Sequence, residues 1–159
     1  MVGSGGVLDS ANPYFSAYGH AGDEISSTHE GRHILVQEGY LIHPAHADGL
    51  VDKGDPVAFF DGVGVALKSA LAATDHIPID TEGIWRLSVT NTGLNNFGTI
   101  TVGQVLFIDP AGVVNDDWQT AFAIFGYALE AIDTERTEAI AVKVHWMYPY
   151  WYYDPVSGP

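Results

Sequence analysis

Cysteine is absent from the 159 residues, which excludes a disulfide framework, a thiolate metal site and a thiol nucleophile. Positive charge is scarce: Lys and Arg total 6 against 20 Asp and Glu, for a net charge of −14 and a pI near 4.5. Affinity for nucleic acid begins with Lys and Arg that neutralise phosphates and release counterions, so DNA and RNA are not expected partners. Uninterrupted apolar runs fall short of the roughly 18 residues a membrane helix needs, and no membrane partner is expected. The opening MVGSGGVLDSANPYF lacks the basic start and continuous apolar stretch of a signal peptide, so a soluble chain without an export address is expected. Helical signal is thin as well. Lys68 to Ala73 would make at most a short turn of helix, and Asp117 to Ala123 another, capped by Asn115 or Asp116.

What the chain does have is short apolar runs between small polar turns. Apolar residues make up 47% and glycine occurs 18 times, in a length suited to one domain. From Ile25 onward β-prone runs follow one another: His33 to Gln37, Tyr40 to His43, Pro56 to Phe60, Gly64 to Lys68, Ile77 to Asp80, Ile84 to Thr90, Thr99 to Val102, Val105 to Ile108, Phe122 to Glu130 and Ala139 to Trp146. Turn signals such as Lys53-Gly54-Asp55, Asp61-Gly62, Asp109-Pro110-Ala111-Gly112 and Asn115-Asp116-Asp117 separate them. The spacing and the β-branched and aromatic content predict an all-β sandwich or small barrel with little helix. Residues 1–24, rich in Gly, Ser, Ala and Asn, read as an extended N-terminal arm; residues 25–146 read as a single β domain, and 147–159 as an aromatic C-terminal tail.

Two segments echo each other. Gly54 to Phe60 is answered by Gly103 to Ile108, and Gly64-Val65-Ala66-Leu67 by Gly126-Tyr127-Ala128-Leu129. A glycine ahead of a strand permits a sharp turn, and a Gly-x-Ala start lets a neighbouring backbone approach closely. Related halves of one barrel are the expected arrangement.

These residues also carry a family likeness. The runs Gly54 to Val89, Ile100 to Val114 and Phe125 to Trp146 contain a Gly-Asp-x-Val turn and strand, a Gly-Val-Ala strand, a Thr-Glu-Gly-hydrophobic strand, a Val-Gly-x-x-Val strand and a final Gly-x-Ala-Leu-Glu-Ala strand pair. In that order they resemble the capsid decoration, or cement, proteins of phages and prophages, over roughly residues 50 to 146. The resemblance implies a β-tulip-like or small β-barrel module, similar in role to the head decoration protein of phage lambda. It further implies a homotrimer, made in the host cytoplasm, that sits on the outer capsid surface at three-fold or quasi-three-fold positions. There it would staple neighbouring major capsid subunits and stabilise the head, with an arm extended along the shell.

Candidate chemistry is weaker. His29-Glu30-Gly31-Arg32-His33 satisfies H-E-x-x-H, which holds zinc when a helix puts both histidines on one face. Here Gly31 would interrupt that helix, and Ile34-Leu35-Val36 prefers a strand. His43 and His46 flank Pro44-Ala45 and would at most gather an adventitious metal; surface or interface histidines are the expectation, with a pH-sensitive assembly as a corollary. The acidic pairs Asp23-Glu24, Asp52/Asp55, Asp80/Glu82, Asp116-Asp117 and Asp133/Glu135 are expected to be solvated turn residues, since no calcium-loop pattern accompanies them. Gly62-Val63-Gly64 lacks the third glycine of a dinucleotide fingerprint, and G-x-S-x-G and P-loop patterns are missing. The expectation is no enzyme, no cofactor and no resident metal.

The most unusual stretch is the C-terminal end, where residues 146–153 hold six aromatics. Such a segment is costly in water and should be covered by its own domain, a neighbouring subunit or a capsid. Pro13, Tyr14, Phe15 and Tyr18 of the arm, with Trp146, Tyr148, Tyr150 and Trp151 of the tail, are the expected capsid or subunit contacts. A carbohydrate-binding β module of a fibre or secreted protein, stacking sugars on the same tail, is the alternative.

Overall fold

The computed structural model describes residues 33–94 and 98–146, together with the backbone of residues 7–8. The described residues form ten strands: β1 Val7–Leu8, β2 His33–Gln37, β3 Pro56–Phe59, β4 Gly62–Ala66, β5 His76–Asp80, β6 Glu82–Thr90, β7 Val105–Ile108, β8 Val114–Asn115, β9 Ala123–Ala128 and β10 Thr137–His145. They make one open five-stranded sheet, in the order β1-β2-β5-β4-β3, and one closed five-stranded barrel, in the order β10-β6-β8-β7-β9. Helix among the described residues is confined to a 3-10 turn at Glu38–Tyr40.

Alternation explains most of these strands. β2 buries Ile34 and Val36, β6 buries Leu87 and Val89, β7 buries Leu106 and Ile108, and β10 buries Ile140, Val142 and Val144. Each presents every second side chain to one core, as a pleated strand must. The β3–β4 hairpin is different, for every residue of both strands is buried. Its two faces serve two cores. Ala58, Val63 and Val65 join Leu87, Leu106 and Phe125 in the barrel, whereas Val57, Phe59 and Ala66 pack with Ile34, Val36, Ile77 and Ile79 under the open sheet.

The chain passes from one sheet to the other through a single residue, the buried Thr81 between β5 and β6. Asp80, at the end of β5, is only 1% exposed. Its carboxylate accepts the indole N–H of Trp85 at 3.0 Å and the backbone N–H of Glu82 at 3.2 Å, which offsets the cost of burying the charge. A side chain at Gly83 would collide with both the Asp80 carboxylate and the Trp85 indole nitrogen. The Thr-Glu-Gly-hydrophobic segment is therefore a strand corner whose glycine makes room for an Asp–Trp bond.

The echo between the two segments proves to be local chemistry rather than two halves of one barrel. β3 and β4 pair antiparallel in the open sheet, while their counterparts β7 and β9 pair antiparallel in the barrel. Gly54 and Gly103 both take a left-handed turn ahead of their strands, at φ 93° and 87°. A Cβ at Gly64 would meet the Asp80 carbonyl oxygen at 2.6 Å, and one at Gly126 would meet the Lys143 carbonyl oxygen closer still. Close backbone approach is thus common to both copies.

Some expected elements differ. Tyr40 to His43 begins on the last residue of the 3-10 turn and contributes one antiparallel bridge, Ile42 to Ala58, and Thr99 to Val102 contributes only the bridge Ile100 to Ile132. The segments 68–73 and 117–123 contain no helix, and the second enters β9 at Ala123. The two-residue strand β8, parallel to β6 and antiparallel to β7, completes the barrel where a turn was expected.

Candidate functional site

Of the eight expected contact residues, Trp146 falls within the described structure; Pro13, Tyr14, Phe15, Tyr18, Tyr148, Tyr150 and Trp151 lie outside the described residues. Trp146 follows β10 directly and leans on the β3–β4 hairpin. Its indole N–H donates to the Asp61 carbonyl at 3.1 Å, and its ring meets Phe59 edge-on, with centroids 5.7 Å apart and planes at 74°. Gly62 makes this possible, because a Cβ there would strike the rings of both Phe59 and Trp146. The indole nevertheless remains 41% exposed.

The same hairpin turns in two residues, Phe60 and Asp61, between the paired Phe59 and Gly62. Phe60 is the one described non-glycine residue at positive φ, 49°. A bulky residue there is strained by roughly 1–2 kcal/mol relative to ordinary backbone. Its side chain is 40% exposed and stacks on Tyr40 at 5.9 Å. Strain at an exposed aromatic, next to a half-exposed tryptophan, marks this corner as a candidate contact surface. Sequence reasoning placed Trp146 in such a surface but missed Phe60 and Tyr40. The available signal was Phe59-Phe60-Asp61-Gly62, an aromatic pair inside a tight-turn pattern. Elsewhere Ile84 on β6 and Val102 in a barrel loop hold large apolar side chains 68% and 65% exposed.

The acidic pairs divide between solvent and interior: Asp52, Glu82, Asp133 and Glu135 are exposed as expected, Asp55 is half-buried, and Asp23-Glu24 lies outside the described residues. Asp116 and Asp117 are buried. Asp116 accepts the backbone N–H and hydroxyl of Thr92, both at 2.8 Å, and Asp117 accepts the Gln119 N–H and the Thr120 hydroxyl. Carboxylates take these positions because loops that close a barrel leave N–H groups inside, which need acceptors. An open pocket of about 410 Å³ is lined, among the described residues, by Asp80, Gly83, Ile84, Trp85 and Lys143. Its one carboxylate is already committed to Trp85 and Glu82.

Of the H-E-x-x-H motif, His29 and Glu30 lie outside the described residues. His33 opens β2, an extended strand, with Nε2 3.9 Å from Asp80. His43 and His46 do come together, with ring centroids 6.1 Å apart and planes within 9° of parallel. His46 Nε2 lies 2.6 Å from Asp55 Oδ2, and this hydrogen bond raises the imidazole above its ordinary 6.5. Desolvation opposes the rise; the negative charges of Asp55, Asp52 and Asp48 support it.

The family model described as phage cement protein matches residues 36–144. The chain belongs to the phage cement protein family. Comparison with curated proteins and with solved structures returned no match. The matched span runs from Val36 on β2 to Val144 on β10, so it takes in strands of both sheets and reaches further towards the N-terminus than the likeness from residue 50. Membership in a cement family gives the chain a structural role associated with the phage capsid.

Proposed function

We propose that this cement protein binds the outer surface of a phage capsid as a homotrimer and stabilises the head by bridging major capsid subunits. The observation that carries the reading is the family match across both sheets, joined to an exposed aromatic corner at Phe60 and Trp146 from which the aromatic C-terminal segment continues. Apolar side chains left in water on a small acidic protein are worth their cost when a partner covers them. The arm, residues 1–24, and the tail, residues 147–159, supply the remaining contacts, through Pro13, Tyr14, Phe15 and Tyr18 at one end and Tyr148, Tyr150 and Trp151 at the other. β1 offers a precedent, because Val7 and Leu8 add to the edge of the open sheet as a parallel strand beside Leu35 and Val36.

Capsids assembled without the protein provide the test. Purified protein should pellet with them at a fixed stoichiometry, raise their resistance to heat, and scatter light as a trimer when free. Deleting residues 1–20 should leave a folded protein, by circular dichroism, that no longer pellets with capsids. Unchanged capsid binding by the truncated protein would refute the role of the arm.

A further inference from the structure

We infer that His43, His46 and Asp55 form a binding site for one borderline divalent transition-metal ion, such as zinc or cobalt. One ligand atom from each of these residues lies within 4.8 Å of the others, in a partly buried setting. A tetrahedral ion with bonds of about 2.0–2.2 Å holds its ligands roughly 3.3–3.6 Å apart, so small side-chain rotations close the site. Two imidazoles and one carboxylate are a donor set that suits zinc, cobalt, nickel or copper better than calcium or magnesium.

The backbone around the site is pinned on both shoulders. Ile42 and Ala58 exchange both of their backbone hydrogen bonds, at 2.8 and 2.9 Å, which fixes the chain just before His43. Gly112 presses against the His43–Pro44 backbone so closely that no side chain fits there. On the other shoulder, Gly54 N–H donates to the Ala66 carbonyl at 2.8 Å, and Ala66 N–H returns a bond to the Asp55 carbonyl at 2.9 Å. Asp55 Oδ2 also accepts the Asp52 N–H at 2.8 Å. Side chains mounted on restrained backbone lose little entropy when an ion gathers them.

The polar surroundings call for a cation. His43 meets an acceptor at each ring nitrogen, the Pro44 carbonyl at 2.8 Å from Nδ1 and the Glu38 carboxylate at 3.3 Å from Nε2. His46 has Asp55 at Nε2 and Asp52 3.7 Å from Nδ1. Glu38 is 4% exposed, and the ion pairs of Glu38, Asp52 and Asp55 among the described residues all run to these two histidines. An ion would add positive charge beside carboxylates whose ion pairs among the described residues are made with these two imidazoles. It would tie the loop after the 3-10 turn to the turn before β3.

The site is independent of the capsid reading and is tested without capsids. Untagged full-length protein, stripped with chelator, is titrated with cobalt(II) and followed by visible absorption and calorimetry. The expected result is one equivalent bound, with the absorption of a low-coordinate nitrogen and oxygen site, and displacement by zinc. His46→Ala and Asp55→Asn should each weaken binding at least tenfold, whereas His76→Ala on β5 should leave it unchanged. Asp55→Asn retains an oxygen for the Asp52 N–H, and metal-free melting curves of each variant establish that it is folded. Failure of the wild type to bind one equivalent, or full binding by folded His46→Ala and Asp55→Asn proteins, overturns the site.

Discussion

The barrel and the open sheet use the same short β-branched strands, yet they end differently. In the barrel every strand has two neighbours, and β6 and β10 pair over nine residues from Thr90–Thr137 to Glu82–His145. The sheet stops at the two-residue β1 on one side and on the other at β3, partly covered by the Ile42–Ala58 bridge. Closure removes unpaired backbone, while an open sheet leaves edges that another strand can join. The β3–β4 hairpin joins these two unequal structures, placing one face in each core. The lesson is that a hairpin buried on both sides can make one cooperative unit out of two unequal sheets.

The largest expected effect tests that unity. Phe125 fills the barrel core and Phe59 the sheet core, and each is essentially inaccessible. Phe125→Ala and Phe59→Ala should each cost about 3–5 kcal/mol in urea unfolding. Circular dichroism and tryptophan fluorescence should follow one transition in both variants, because the cores share the hairpin. A separate early transition in Phe59→Ala would show that sheet and barrel unfold independently.

A smaller effect is expected at the corner between them. Trp85→Phe removes the indole N–H from the buried Asp80 and should cost about 1–3 kcal/mol by chemical denaturation. Wild-type stability in that variant would mean that the Glu82 N–H and the other partners of Asp80 suffice at the corner.

The smallest effect belongs to the sheet alone and depends on pH. The N–H of Leu71 holds the Asp75 carboxyl below its ordinary 3.8, opposed by desolvation and helped by the Ala72 N–H and the positive charges of Lys68 and His76. A carboxyl with a lowered folded value adds stability that is fully present above its unfolded value. That stability is lost as pH falls from 3.8 through the lowered value. Asp75→Asn should therefore be slightly less stable near neutrality and lose less on acidification, measured by thermal melts from neutral pH downward. An acid limb identical to wild type would remove Asp75 from the account.

Legibility in the sequence varied with the range of the interaction. The strand His33 to Gln37 and the strand Val105 to Ile108 could be read to the residue, because β-branched alternation is a local property. Tyr40 to His43 looked equally strand-like, but Tyr40 closes the 3-10 turn Glu38–Tyr40, where the Glu38 and Gly39 N–H groups bond the distant Asp75 and Ala73 carbonyls. Trp146 was visible as a candidate contact; Phe60 was not, because its exposure follows from a turn that only the pairing of β3 with β4 defines. His43 and His46 were legible as a pair flanking Pro44-Ala45. Asp55, nine residues beyond His46, joins them only because the turn at Gly54 folds back.

By itself the sequence determined an all-β chain without disulfides, a strongly acidic surface, glycines that mark close backbone approach, and the likeness that family membership made definite. These are properties of composition and of neighbours along the chain. Tertiary structure alone decided that the strands divide into a closed barrel and an open sheet, that β8 enters the barrel parallel to β6, that Asp80, Asp116 and Asp117 lie inside, and that Asp55 meets His46. Each of those outcomes depends on which distant backbones pair. Pairing is fixed by the packing of whole faces, a quantity that no short run of residues contains.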